Sequence, residues 1–404
     1  MPWLRRSSGI RIDQKVATEI TETSNSAVEH FSKPKAAYIH VPFCHSRCPY
    51  CSFTVIADRL DLVDRYVGAI ARELQSLDQP RSVETIFIGG GTPTILPRDS
   101  MSRFLELIRR WLPLSSEGEW SMEANPQDIN RDLCQRLRDS GINRISLGGQ
   151  SFDSHKLKTL GRDHTGDQLA IAIDTALQWF SEVSVDLIFG VPGEDVKVWE
   201  SDLRNAISHG TTHISTYGLT YEKGARYWSQ LQKGELVAIS EDTELEMYLF
   251  AIETLKKNGM LHYEVSNFAK PGSECVHNQT YWQGEPWFGF GPGAAAYVDG
   301  TRTVNHRSTL RYLQRMEAGE SPVAESQRLD WSTRTRERFI FGMRQLKGIE
   351  WSYFASSGEP QSVDQIALQI PKHVELGFLE WHEGRIRLTS KGLPISDSLW
   401  LDYW

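Results

Sequence analysis

One pattern recurs six times between Ala37 and Leu219, and it narrows the fold more than any other feature of the chain. A short, apolar, β-rich run ends in glycine, proline or polar residues, and an amphipathic segment follows. The runs are Ala37–Phe43, Thr85–Ile88, Trp120–Glu123, Arg144–Leu147, Val183–Phe189 and His213–Leu219. Between them, Arg59–Leu77 places Leu62, Tyr66, Ile70, Leu74 and Leu77 on one helical face. Ser100–Trp111, Arg131–Ser140, Gly166–Phe180 and Val196–His209 read the same way. Such repetition predicts an α/β fold with parallel strands joined by crossover helices. Eight units would close a barrel, whereas six predict an open or partial barrel, or a doubly wound sheet. In either case ligands bind at the C-terminal ends of the strands.

Composition excludes several classes of partner. The 404 residues carry 52 acidic and 44 basic side chains, a net charge of −8, which disfavours nucleic acid or an anionic membrane surface. No apolar run reaches the roughly 18–20 residues of a membrane span. The first 35 residues are polar and rich in Ser and Thr, with no apolar core of a secretory signal, and predict a flexible extension. Five cysteines, an odd and sparse number, argue against a disulfide framework and for a reducing, cytoplasmic setting.

Three of those five crowd into eight residues. Cys44, Cys48 and Cys51 form C-x3-C-x2-C on the loop leaving the first strand. A zinc ion would want a fourth ligand, such as His40 or His45. A four-iron cluster held by three thiolates would instead leave one iron open to a substrate. After the second run comes Gly89-Gly90-Gly91-Thr92-Pro93-Thr94, whose glycines allow close backbone approach and whose N–H groups suit an anion or carboxylate. No Gly-Lys-Ser/Thr follows, so it is not a P-loop, and Gly289-Phe290-Gly291-Pro292-Gly293 does not fit G-x-G-x-x-G.

The cysteine spacing resembles that of radical S-adenosylmethionine (SAM) enzymes. Tyr38–Cys44, Gly89–Thr94, Ser121–Pro126, Gly148–Phe152, Leu160–Arg162 and Asp186–Gly193 narrow the resemblance to the oxygen-independent coproporphyrinogen III oxidase-like family. The oxidases of that family resemble C-x3-C-x2-C-x-C, and here Phe53 stands at the fourth cysteine position. Cys275-Val276-His277-Asn278-Gln279-Thr280-Tyr281-Trp282 is similar instead to the H-N-x-x-Y-W motif of the HemW haem-chaperone branch.

The resemblance implies a partial (β/α)6 barrel, a [4Fe-4S] cluster on Cys44, Cys48 and Cys51, and SAM on the open iron. It implies SAM contacts from Tyr38, Tyr50, Gly90, Gly91, Thr92, Glu123, Gln150, Arg162, Asp186, Gly218 and Ala295. The haem candidates are His277, Tyr281, Trp282 and Cys275. The implied activity is haem binding and delivery to apo-haemoproteins such as respiratory cytochromes, with a reductant for the cluster and peripheral contact with membrane haemoproteins. The alternative is radical oxidative decarboxylation of coproporphyrinogen III. The motifs leave open whether catalysis follows SAM binding.

The chain then divides into the extension 1–35, a radical SAM core 36–325 with a haem-facing segment 263–305, and a C-terminal part 326–404. The segment Tyr263–Asn305 reads as irregular, being dense in glycine and aromatics. Helices over Thr333–Leu346 and Ser362–Leu376 and a hairpin over Phe378–Thr389 predict a winged-helix-like domain. Residues 331–404 hold nine basic and nine acidic side chains, so that domain lacks the footprint of a DNA binder.

Overall fold

The structure is a computed structural model that describes residues 32–404; the extension expected before Ala36 falls mostly outside the described residues. The chain divides into two compact units, 32–328 and 329–404. Among the described residues no helix is long and apolar enough to cross a membrane.

The first unit is built on six parallel strands: β1 (Ala36–Val41), β2 (Val83–Gly90), β3 (Leu114–Ala124), β4 (Arg144–Gln150), β5 (Glu182–Phe189) and β6 (His213–Gly218). They lie side by side in chain order, β1-β2-β3-β4-β5-β6. A doubly wound sheet would reverse its order part-way, so this succession is that of a partial barrel. It does not close on itself. Beyond β6 the sheet continues antiparallel through Asn267–Ala269 and Leu261–Glu264. Beyond β1 it continues through Trp287–Phe290, parallel to β1, and then Ala295–Val298, Thr301–Asn305 and Val323–Arg328.

The helices are α1 (Val63–Gln75), α2 (Arg98–Trp111), α3 (Arg131–Asp139), α4 (Ser154–Thr159), α5 (Gly166–Leu177), α6 (Val196–Ser208), α7 (Arg226–Gln232), α8 (Glu241–Lys257), α9 (Val276–Trp282) and α10 (Thr309–Glu317). Their starts follow local chemistry. Thr165 and Gln168 form a reciprocal capping box at α5, and Asp153, Asp195 and Ser240 cap α4, α6 and α8. Strand residues alternate. Ile39, Ile86, Ile88, Met122, Ile145, Leu147, Val183, Val185, Leu187 and Ile214 are buried in one core with Tyr66, Ile70, Phe104, Leu137, Ile173 and Trp199 of the helices. The residues between them, Tyr38, Phe87, Glu123, Ser146, Ser184, Asp186 and Ser215, line an inner chamber instead.

Two sequence expectations need correction. The third strand begins at Leu114 rather than Trp120, because its first half, Leu114–Glu119, is polar and largely exposed and carries no apolar signal. The region Tyr263–Asn305 is not irregular: it supplies α9 and short sheet strands, each only three to five residues long and broken by glycine turns. Gly289 must be glycine, since a Cβ there would fall 2.0 Å from the Ala295 carbonyl oxygen of the neighbouring strand.

The unit 329–404 holds α11 (Trp331–Gly342), α12 (Trp351–Ser357) and α13 (Pro360–Glu375). Its sheet joins Ile349–Glu350 to the hairpin Leu379–His382/Arg385–Leu388. Phe339, Phe354, Ile366, Ile370, Leu379 and Ile386 form its interior.

Candidate cofactor site

The cysteine loop is clamped to the sheet at both ends. Phe43–Cys44 pairs with Ile56–Ala57, the Ile56 amide donates to the Pro42 carbonyl at 2.7 Å, and the Asp58 amide to that of Cys44 at 3.1 Å. Inside this closed loop the three thiols are free and half-buried. They line a cavity with Tyr50, Gly90, Gly91, Thr92, Glu123, Gln150, Arg162 and Asp186. Strands β1–β5 deliver these side chains from their C-terminal ends, where an α/β sheet presents its loops.

Among the described residues no three His, Cys, Asp or Glu side chains converge on one point. Donors already face the sulfurs: Thr92 Oγ1 to Cys44 Sγ at 3.8 Å and Arg162 Nη1 to Cys48 Sγ at 3.7 Å. Burial pushes the Cys44 thiol up to about 11, so only a strong cation such as cluster iron would hold it as thiolate at neutral pH. Arg162 spends Nη2 on the Asn125 Oδ1 and Gly148 carbonyl oxygens, both at 2.7 Å, while its buried Nε has no partner. An unsatisfied guanidinium N–H at this wall suits a ligand acceptor.

The glycine run lines the cavity and also anchors the loop through its amides. The Gly90 amide donates to Glu123 Oε2 at 2.9 Å, that of Gly91 to the Val41 carbonyl at 2.8 Å and that of Thr92 to the Phe43 carbonyl at 2.7 Å. The expected anion-binding N–H groups are therefore spent inside the protein, and the run seats the cysteine loop on β2. Gly90 has φ +108°, and a Cβ there would lie 2.3 Å from the His40 ring; at Gly91 it would lie 2.5 Å from the Phe43 carbonyl oxygen.

Two carboxylates form the floor. Burial raises Glu123 to about 7, against the Gly90 N–H, and raises Asp186 to about 6, against hydrogen bonds from Ser215 and Ser146. The Asp186 charge also discourages ionisation of Glu123. Gln150 ends β4 with φ +64°, a left-handed conformation unusual for a side chain of this size.

With this geometry fixed, the relatives can be read. The radical SAM superfamily matches residues 38–205. The heme chaperone HemW of Bacillus subtilis (strain 168) is 34% identical over 365 residues, spanning 89% of this chain and 96% of that one. The chain belongs to the HemW family. A mouse relative, the mitochondrial radical S-adenosyl methionine domain-containing protein 1, is 30% identical over 418 residues, 98% of this chain and 95% of its own. Among solved structures, coproporphyrinogen III oxidase (HemN) from Escherichia coli, described as a radical SAM enzyme, superposes with a TM-score of 0.80. That match has 20% identity and covers 97% of this chain and 93% of that one; it establishes the shared α/β fold.

The HemW-like H-N-x-x-Y-W segment lies elsewhere in the barrel. It forms α9, whose N-terminus is held by Glu119: the carboxylate accepts from the Val276 and His277 amides at 3.0 and 3.1 Å and from Cys275 Sγ at 3.4 Å. His277 is 1% exposed. Its Nδ1 meets Thr85 Oγ1 at 2.9 Å, its Nε2 meets the Tyr281 hydroxyl at 2.8 Å, and its ring stacks on Phe87. Burial pushes it down to about 3. Both ring nitrogens of His277, named in sequence as a haem candidate, are thus hydrogen-bonded within the protein. Cys275 is likewise buried, and Tyr281 packs edge-on against Trp287.

His277, Cys275 and Tyr281 line the inner chamber, together with Arg144, His213 and Tyr38. Tyr38, expected beside the cluster with Tyr50, hydrogen-bonds His40 Nδ1 at 3.0 Å. Glu123 and Asp186 line both chambers; Gly218, Ala295 and Trp282 line neither. Sequence reasoning gave no role to Arg47, Val55, Asn125 and His164, which also line the cavity of the cysteines. Asn125 lay within the matching Ser121–Pro126 segment, Arg47 lies inside the cysteine motif and Val55 follows it closely, so those motifs were the signals that could have found them.

Proposed function

We propose that this protein is a haem chaperone that binds haem, carries a [4Fe-4S] cluster with SAM, and passes haem to apo-haemoproteins such as respiratory cytochromes. The observation that carries the reading is Phe53, in a HemW-family chain, at the position of the oxidases' fourth cysteine. Cys44, Cys48 and Cys51 would hold the cluster and leave one iron for SAM. A reduced cluster of this kind supplies one electron to the sulfonium of bound SAM.

The chain's own residues prepare the cavity. The Thr92 hydroxyl and the Arg162 guanidinium donate to cysteine sulfurs and temper their negative charge. Asp186, raised to about 6, and Glu123, raised to about 7, offer anionic oxygens to a cationic ligand increasingly as pH rises through neutrality. Gln150 lines the opposite wall.

The partners required are haem, an apo-haemoprotein and a reductant for the cluster. We place the protein in the cytoplasm, with peripheral contact where the acceptor is a membrane haemoprotein. In this reading residues 36–325 form the cofactor-binding body and 326–404 a winged-helix-like module whose balanced charge gives no nucleic-acid footprint.

A second reading, oxidative decarboxylation of coproporphyrinogen III, is favoured by the likeness in fold to HemN and opposed by Phe53. Anaerobic reconstitution of the cluster followed by addition of haem separates the two. A shifted Soret band, with no product from coproporphyrinogen III, SAM and reductant, is expected. Decarboxylation without a Soret shift overturns the chaperone reading.

A further inference from the structure

A protein that carries haem must offer an apolar face for the porphyrin, a donor for the iron and a cation for the propionates. Four histidines line the two chambers: His45, His164, His213 and His277. Three are buried and committed. His164 Nε2 bonds the Gly149 carbonyl at 2.9 Å, His213 lies between Ser184 and Tyr263 at 2.8 Å each, and His277 lies between Thr85 and Tyr281. His45 is exposed. Its Nε2 faces Asp128 Oδ1 at 4.0 Å, and Asp128 is itself held by the Thr94 hydroxyl at 2.7 Å. The carboxylate lies on the Nε2 side of the ring, beyond hydrogen-bond reach, which leaves Nδ1 to meet a metal.

The rest of the requirement lies on the same loop. Phe53 is 62% exposed, yet its loop is not frayed: Thr54, the next residue, gives its carbonyl to His40 Nε2 at 2.6 Å, and Ile56 pairs with Phe43. The ordered loop thus presents the Phe53 ring to water at the wall of the cavity, where a flat apolar ligand can cover it. Arg47 is also exposed, with one N–H on the Cys51 carbonyl at 3.4 Å. Asp163, which accepts from Ser46 at 3.5 Å, is the acidic group beside it on the loop side; Glu123 and Asp186 lie on the floor.

We propose that haem docks across the mouth of this cavity, with the Phe53 ring against the porphyrin face, His45 Nδ1 on the iron and Arg47 pairing a propionate. The proposal rests on the haem-chaperone reading. It gives the missing cysteine position a use: the residue that departs from the oxidase pattern is the apolar contact.

The test is a titration of the full-length chain with iron protoporphyrin IX, followed at the Soret band, once without iron and once with the cluster reconstituted. Wild type is compared with Phe53→Ala, His45→Ala and Arg47→Gln, with iron content and circular dichroism recorded for each. Phe53→Ala and His45→Ala should each weaken haem binding at least fivefold in both preparations. His45→Ala should also move the Soret maximum and the haem electron paramagnetic resonance signal, as loss of an axial ligand requires. Arg47→Gln should weaken binding about threefold, more at low salt than at high. All three side chains are exposed, so the fold should be unaltered. Unchanged affinity and spectra in Phe53→Ala and His45→Ala overturn the proposal. A wild-type protein that binds no haem refutes instead the reading on which it rests.

Discussion

Lys156→Met should unbalance a buried charge cluster behind the cofactor cavity. Lys156 is 3% exposed, and its ammonium sits between Glu194 and Asp202, each 1% exposed. The two carboxylates are also spent on backbone. Glu194 accepts from the Val191 amide at 2.9 Å, whereas Asp202 accepts from the Ser151 hydroxyl and, at 2.7 Å, from the Phe152 amide. Asp202 thus holds the two residues after Gln150, whose left-handed backbone is unfavourable by about 1–2 kcal/mol on its own. Removing one partner of a buried ion pair costs about 3–5 kcal/mol, because the opposite charge stays buried without compensation.

The sign with pH follows from Glu194. Burial raises its pKa and Lys156 lowers it, so loss of the lysine drives it further up. An acid whose folded pKa exceeds its unfolded value binds more protons when folded, and stability falls as pH rises through that window. Urea unfolding of the iron-free protein, followed by circular dichroism at about pH 5.5 and pH 8, should show a deficit of about 3–5 kcal/mol at the higher pH and a smaller one at the lower. Adding Glu194→Gln and Asp202→Asn to Lys156→Met should recover most of the loss. A deficit below about 1 kcal/mol, or one equal at both pH values, would refute the reasoning.

Binding of SAM to the reconstituted protein should tighten between about pH 5.5 and pH 8, because Asp186 and Glu123 ionise near 6 and 7 and face a cationic ligand. Calorimetry with Glu123→Gln should show a shallower pH profile, and a flat wild-type profile would contradict the assignment. Gly90→Ala places a methyl 2.3 Å from His40 at φ +108° and should destabilise the iron-free protein by about 2–4 kcal/mol in the same unfolding assay; a change within experimental error would mean the loop moves freely. Cys48→Ser should lose the broad iron–sulfur absorption at roughly 400 nm and most of the bound iron, whereas full iron retention would remove Cys48 from the ligand set.

The barrel was legible because its strands alternate. Ile145 and Leu147 against Arg144 and Ser146, or Val183 and Val185 against Ser184 and Asp186, write one buried face and one chamber face directly into the chain. The first half of β3 wrote nothing, since Ser115, Ser116 and Glu117 are exposed and polar and sit where the register with β2 shifts. At the site, spacing identified the cysteines, and the structure brings them to one cavity with Arg162, Gln150 and Asp186. Spacing said nothing about where hydrogen bonds are spent. His277 and the Gly90–Thr92 amides looked available in sequence, and both are consumed by partners 192 residues away for Thr85–His277 and 33 for Gly90–Glu123. Phe53 was visible as a departure from a motif, but its exposure is a property of the folded loop.

The seating of the cysteine loop on β2 has a bearing on how the protein is loaded. Its anchors, the Gly91 and Thr92 amides on the Val41 and Phe43 carbonyls and the Ile56 amide on that of Pro42, are all protein to protein. In the proposed reading, assembly of the cluster would fill a template that these bonds already hold, unlike the metal-driven folding of small zinc modules. A chelator that strips the iron should leave the amides of Gly91, Thr92 and Ile56 as protected from hydrogen exchange as before, and an emptied chain can be recharged without passing through an unfolded loop.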